Sequence, residues 1–147
     1  MSKYVIGIDP DSNKHGVALY VDGHIDGLYL MNLMELQDFL IDGFEGELEG
    51  LTIHIEDVAS QNFMYSKHRT GKGAVDESIM WCVGMCQQAQ LEVERMCKNL
   101  EVNITKHKPS KKWKSQAEKT QFKKVTGWTG RSNEDTRSAA YFGYLGL

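Results

Sequence analysis

The stretch that decides the fold is residues 4–18, which read YVIGIDPDSNKHGVA. An apolar run from Tyr4 to Ile8 predicts a buried strand. It stops at Asp9, where Asp-Pro-Asp-Ser-Asn has the composition of a turn. A second apolar run from Gly16 to Val21 predicts the next strand, and Asp22-Gly23 indicates a tight hairpin into a third.

Outward from this segment, apolar periodicity predicts helices and strands in a mixed order. Asn32 is a suitable N-cap for a short helix that ends at Gly43, and Leu51 to Ile55 predict a buried strand that ends at Glu56. The remaining predictions are a long helix over about 76–99, a strand over 101–105, a helix after Pro109, and a last helix from Ser132 or Asn133 to Tyr144. This order predicts an α/β fold with a mixed sheet flanked by helices.

Length and composition are those of one globular domain spanning residues 1–147. Of the 147 residues, 41% are hydrophobic and 25% charged, and no apolar run reaches the roughly 18 residues that cross a bilayer. The amino terminus does not resemble a signal peptide. The three cysteines lie in one segment and are expected to be reduced, packed thiols. A cytoplasmic protein without a membrane partner is the expectation.

Positive charge is concentrated in one segment, although the formal net charge is -3. Between Lys106 and Lys124 eight lysines stand against one acid, Glu118. This asymmetry is typical of a nucleic-acid-binding surface, because phosphate contacts dominate such binding. A solvated helix face is the alternative.

Carboxylates stand at three separate points where strands or helices begin or end. Asp9 and Glu56 each end a predicted buried strand, and Glu134 and Asp135 lie in the first turn of the last helix. Together they would supply the hard oxygen ligands that Mg²⁺ or Mn²⁺ prefers. Taken singly, each acid has an ordinary alternative: a turn residue, a solvated strand end, or an acid favoured by the helix dipole.

The segment from Tyr4 to Ala18 resembles the first motif of the RuvC-type Holliday junction resolvases. In that family a strand ends in an Asp-Pro-Gly-Ser turn and a glycine-led strand follows. Here Asp11 replaces the usual glycine, which leaves an additional carboxylate near Asp9 as a possible outer ligand. The second motif of the family resembles Ile-His-Ile-Glu-Asp-Val at 53–58, in which Glu56 ends the strand.

The third motif resembles residues 133–140, Asn-Glu-Asp-Thr-Arg-Ser-Ala-Ala. The family carries two acids three residues apart here, and Asp135 matches the first. Ser138 stands where the second acid is expected, on the same helix face as Asp135. Either three carboxylates suffice, or Glu134 or Asp11 compensates, or activity is reduced. The small size and this divergence resemble a phage or viral branch, whose members would act in the host cytoplasm.

The resemblance implies a ribonuclease H-like fold with a five-stranded sheet and a metal-dependent endonuclease. Asp9, Glu56 and Asp135 would hold two Mg²⁺ or Mn²⁺ ions for hydrolysis of a phosphodiester bond. A homodimer would match the two-fold symmetry of a four-way DNA junction. The DNA contacts that it implies are Lys112, Lys114 and Lys119 on phosphates and Phe63, Tyr65, Lys67 and Arg69 in a substrate-facing loop. Ordinary packing is the alternative for the aromatic pair.

Two other functions remain open, and a third is disfavoured. A flap, branched-DNA or RNA-processing nuclease would keep the fold and change the substrate. A nucleic-acid-binding module without activity is compatible with Ser138. The actin and sugar-kinase class also begins with Ile-Gly-Ile-Asp, but it needs two such domains and this chain has room for one.

Overall fold

The computed structural model describes residues 2–60, 69–70, 74–75 and 77–147. Its main sheet contains β1 (Tyr4–Asp9), β2 (His15–Val21), β3 (His24–Met31), β4 (Leu51–Glu56) and β7 (Asn103–His107). Two short strands, β5 (Arg69–Thr70) and β6 (Ala74–Val75), pair with each other. The helices are α1 (Leu33–Gly43), α2 (Glu77–Asn99), α3 (Lys119–Thr126) and α4 (Glu134–Tyr144).

The five-stranded sheet has the order β3-β2-β1-β4-β7. The first three strands form an antiparallel meander, and β4 runs parallel to both β1 and β7. The predicted α/β class with a mixed five-stranded sheet is therefore confirmed. Because β1, β4 and β7 are parallel, their carboxyl ends lie at one edge of the sheet.

Helix boundaries follow the capping residues that the sequence predicts. The Asn32 side chain accepts a hydrogen bond from the Glu35 N–H at 2.8 Å, and the Glu35 carboxylate accepts one from the Asn32 N–H at 3.1 Å. Asn133 caps α4 in the same way through Thr136. Each such cap satisfies backbone donors that the helix itself leaves free.

Two predicted boundaries differ from the structure. The strand predicted over 101–105 is β7 over Asn103–His107, because Glu101 has a left-handed φ of 58° that ends the turn after α2. The helix predicted directly after Pro109 begins only at Lys119, after a short 3₁₀ turn over Gln116–Glu118. The residues in between, 108–115, form a loop with a turn over 112–114.

Helices cover both faces of the sheet and define two core clusters. On one face α1 and α2 pack over strand residues such as Ile6, Ile8 and Ile53. On the other, α4 and the loop before α3 pack over Val5, Ala18 and other small or aromatic residues. The alternation of Val5 and Ile6 between clusters follows from the two-residue period of a strand.

The cysteines were expected to be reduced and packed, and no helix was expected to span a membrane. All three cysteines are free, as expected; Cys97 is buried, but Cys82 is exposed, so the prediction that all three are packed is wrong for Cys82. The cause is that α2 buries only the side chains of its carboxyl-terminal half. Among the described helices, none combines the length and the apolar character needed to span a bilayer.

Candidate active site

Asp9 and Glu56 lie side by side at the carboxyl edge of the sheet. β1 and β4 pair in parallel with Ile8 opposite Ile55, so the next residue of each strand reaches the same edge. Both carboxylates are removed from solvent, with exposures of 5% and 9%. Burying two acids together is costly unless a cation shares the space.

Asp135 reaches this edge from α4, because a glycine allows the helix to approach. Gly16 is paired with Asp9 across β1 and β2. A Cβ atom at Gly16 would overlap the backbone carbonyl of Asp135. The missing side chain therefore lets the first turn of α4 lie directly over the strand end, which brings the third predicted acid to the other two.

The electrostatics show that the three carboxylates share one environment. Burial, together with the charges of Asp9 and Asp135, raises the pKa of Glu56 to about 7. Burial raises the pKa of Asp9, which Lys114 and Ser138 lower in part and Asp135 raises further. Burial also raises the pKa of Asp135, against the influence of Lys114. Burial therefore disfavours the charged form of each acid, and the nearby cation offsets this only in part.

Lys114 supplies positive charge within this group. Its Nζ lies 3.4 Å from Oδ2 of Asp9, and 31% of its side chain is exposed. Burial lowers the pKa of Lys114, but Asp9, Glu56 and Asp135 together raise it above its ordinary value. Lys114 comes from the loop 108–115, whose Ser110 N–H also lies against Glu56. A lysine predicted to meet DNA phosphates thus lies among the acids.

The residue types at this edge suit a hard divalent cation, but their present positions do not complete a site for one. Oδ2 of Asp9 is buried and has no hydrogen bond of normal geometry to any described residue, only the ion pair with Lys114. Such an oxygen requires an explanation, and a bound cation is one. As they stand, however, no three acid, His or Cys side chains in the described ranges lie close enough to hold one ion. Mg²⁺ or Mn²⁺ would therefore need the side chains, Lys114 included, to rearrange.

Ser138 occupies the helix position where an acid was expected. It is fully buried beside Asp9, and its Oγ has no hydrogen-bond partner among the described residues. No carboxylate takes its place directly. Glu134 is exposed and lines a groove with Lys111, Lys114 and Ser115.

Asp11 lies in the turn between β1 and β2, near Asp135. Burial is the main cause of the raised pKa of Asp135, and the negative charge of Asp11 raises it further. Its Oδ1 already accepts a hydrogen bond from the Asn13 N–H at 3.0 Å, while its own N–H donates to Nδ1 of His15 at 3.2 Å. Its φ is not positive. The turn therefore does not require the glycine that the resemblance leads one to expect.

The predicted DNA-contacting residues other than Lys114 fall into three groups. Lys112 is exposed in the loop 108–115, and Lys119 is half-buried at the start of α3. Arg69 lies in β5, of which only the backbone is described. Phe63, Tyr65 and Lys67 lie outside the described residues.

Two buried side chains that support the site were not predicted. Gln90 of α2 accepts hydrogen bonds from the N–H groups of Val58 and Ala59 and donates to Asp57, which fixes the chain just after Glu56. Arg137 of α4 donates to the carbonyls of Trp113 and Lys114. Helical periodicity could have revealed both, because each polar side chain stands on an otherwise apolar helix face.

Comparison with solved structures identifies the fold class and one of its known representatives. The sheet order and the helices on both faces are those of a ribonuclease H-like fold. Thermus thermophilus RuvC in complex with a Holliday junction substrate superposes with a TM-score of 0.58, covering 97% of this chain and 91% of that one at 11% identity. A second Thermus thermophilus RuvC structure gives a TM-score of 0.54, with 98% and 92% coverage at 12% identity. The chain therefore has the RuvC-like fold. No protein-family model and no curated protein sequence matches it.

Proposed function

We propose that this protein is a metal-dependent endonuclease that cleaves branched DNA, with four-way junctions as its substrate. The observation that carries the proposal is the cluster of Asp9, Glu56 and Asp135, with the orphaned Oδ2 of Asp9, at the carboxyl edge of a RuvC-like sheet. Phosphodiester hydrolysis needs charge neutralisation and positioning more than covalent chemistry, and buried acids around a cation meet that need.

The metal would be held by Asp9, Glu56 and Asp135, with Glu134 nearby. When bound, Mg²⁺ or Mn²⁺, two ions per site in this proposal, neutralises charge on the phosphate and makes water a better nucleophile. The protein residues do the rest. Gln90 fixes the chain after Glu56, the cap of α4 fixes Asp135, and burial shields Asp9 and Glu56 from bulk water.

The DNA backbone would approach along the groove lined by two lysines, a serine and two acids: Lys111, Lys114, Ser115, Glu118 and Glu134. Lys112 is exposed in the loop that also carries Lys114, and Lys119 lies at the start of α3. Both are proposed to contact phosphates. Phe63, Tyr65, Lys67 and Arg69 remain proposed contacts to the branch point. The protein would act as a homodimer in the cytoplasm. If the source is a phage, this is the cytoplasm of the host.

The test is an assay of the purified protein on labelled four-way junction, flap and linear duplex DNA with Mg²⁺ or Mn²⁺. We expect paired, symmetrical nicks in the junction, loss of cleavage with EDTA, and a loss of at least about 100-fold in Asp9→Asn, since such ligands contribute several kcal/mol to transition-state stabilisation. Asp38→Asn, which alters an exposed acid on α1, is the matched control and should cleave normally.

The other outcomes separate the alternatives. Preferential cleavage of flaps or of RNA would keep the active site and change the substrate. Tight junction binding without cleavage under any metal would indicate a binding module, for which the Lys114–Asp9 ion pair and Ser138 are the relevant features. Equal cleavage by Asp9→Asn would overturn the catalytic assignment.

A further inference from the structure

Arg137 is a buried cation whose guanidinium donates hydrogen bonds to backbone carbonyls. Only 3% of it is exposed, yet it makes no ion pair with an acid among the described residues. Its Nε donates to the carbonyl of Trp113 at 2.9 Å, and Nη2 donates to the carbonyl of Lys114 at 2.6 Å. Nη1 donates to Oγ of Ser132 at 3.2 Å. Burying a guanidinium without a carboxylate partner costs free energy, which its hydrogen bonds to two consecutive carbonyls offset. The backbone conformation that Arg137 holds at these two residues is therefore expected to have a function.

That conformation is one the loop would not adopt by itself. Trp113 has a left-handed φ of 65°, which is unfavourable for a bulky residue. Its indole is buried against Phe122 and Tyr141, so the aromatic cluster fixes the side chain while Arg137 fixes the backbone. The next residue, Lys114, consequently leaves the loop toward the acids rather than toward solvent.

We propose that Arg137 is a positioning residue: by clamping the carbonyls of Trp113 and Lys114, it holds the Lys114 ammonium against Asp9 as a built-in cation that competes with the divalent ion. This inference rests on the proposed function, because it assumes that Asp9 is a metal ligand. The ammonium lies 3.4 Å from the one buried Asp9 oxygen that lacks a hydrogen bond among the described residues. A divalent ion at that oxygen must displace it or share the space with it.

The experiment is a double-mutant cycle on Ca²⁺ binding, measured by calorimetry so that no catalysis is needed. Lys114→Met removes the ammonium and keeps the loop backbone, and we expect about tenfold tighter Ca²⁺ binding because a like charge leaves the site. Arg137→Lys keeps the charge but loses the two-carbonyl fork, so binding should tighten severalfold as Lys114 is released. In the double variant the affinity should equal that of Lys114→Met alone, because Arg137 acts through Lys114.

The controls isolate this coupling from general damage. Arg95→Lys changes an exposed arginine of α2 and should leave Ca²⁺ binding unchanged. Thermal unfolding reports whether each variant folds. If Arg137→Lys does not fold, Arg137→Gln, which is neutral and keeps one amide donor, takes its place in the cycle.

Each result supports or overturns the inference. Additive effects of the two substitutions, or unchanged affinity in Lys114→Met, would overturn it while leaving the metal site intact. If the wild-type protein binds no Ca²⁺, or Asp9→Asn binds it equally well, the metal site itself fails and the inference fails with it. Non-additive tightening, with loss of binding in Asp9→Asn, supports both.

Discussion

At the scale of single residues, Glu56 shows how burial and like charge act together. Its carboxylate ends a strand, has 9% exposure and faces Asp9, with Lys114 as the nearby cation. Burial, with the charges of Asp9 and Asp135, raises its pKa to about 7, whereas an unfolded chain would ionise it near 4.5. The metal-free protein therefore holds a proton on Glu56 over a range in which the unfolded chain does not.

This proton makes stability depend on pH in a defined direction. An acid whose pKa is raised on folding stabilises the native state fully below its unfolded pKa, and this contribution is lost as pH rises through its folded pKa. With EDTA present, we expect the free energy of unfolding to fall between about pH 4.5 and 7. The loss should be about 3–4 kcal/mol, since each pKa unit corresponds to about 1.4 kcal/mol. Urea denaturation across this range measures it.

Two variants check that Glu56 is the source. Glu56→Gln should weaken the dependence, because the amide does not titrate while Asp9 and Asp135 still do. Glu47→Gln, which alters an exposed acid in the loop after α1, should leave the dependence unchanged. Stability that is constant from pH 5 to 8 in the metal-free wild type would contradict the assignment.

At the scale of elements, the contact of α4 with the sheet places Asp135. α4 lies on β1 and β2 with very small separation, since Cβ atoms at Gly7 would overlap the Ala139 carbonyl and the backbone of Gly143. The Tyr20 hydroxyl reaches the carbonyl of Ala140 at 2.7 Å, which ties the same pair of elements together. The glycines thus determine how close the third acid comes to the first two.

Gly7→Ala should therefore be among the most damaging small substitutions in the chain. The methyl group meets rigid backbone, so α4 has to move away from the sheet, and we expect a loss of about 3 kcal/mol or more in the free energy of unfolding. Gly84→Ala in α2 is the matched control. Its Cβ would meet no described atom within 4 Å, and alanine favours a helix by about 0.5–1 kcal/mol. Equal stability of the two variants would contradict this account of the α4 contact.

The sequence predicts the strand and helix ends of the site better than its loop. Asp9 and Glu56 follow apolar runs, and Asp135 follows an N-cap, so local patterns place all three. Lys114 has no such signal. Its position depends on the left-handed φ of Trp113 and on hydrogen bonds from Arg137, 23 residues further along the chain. Contacts of that range are properties of the packed fold, which is why Lys114 was predicted only as a phosphate contact.

At the scale of the whole molecule, the basic segment does not act as one surface. Lys106 pairs with Glu94 of α2 at 3.4 Å, and Lys114 pairs with Asp9. The other lysines are exposed or half-buried. Two of the eight lysines are therefore already paired with acids of the protein and would have to leave them to bind phosphate.

The amino-terminal half of α2 carries exposed apolar side chains and is the expected dimer interface. This part of α2 carries no buried side chain, and Trp81 and Met85 are 71% and 40% exposed. Large exposed apolar side chains on one helix are typical of a subunit interface. We expect a dimer by sedimentation velocity and a monomer in Trp81→Glu, whose charge would be buried unpaired at the interface. The control Leu147→Glu changes a residue that is 45% exposed at the carboxyl terminus, and this variant should remain dimeric.

The monomeric Trp81→Glu variant should nick junctions on one strand at a time, because paired cleavage needs two sites. A wild-type protein that is monomeric with and without junction DNA would contradict the dimer.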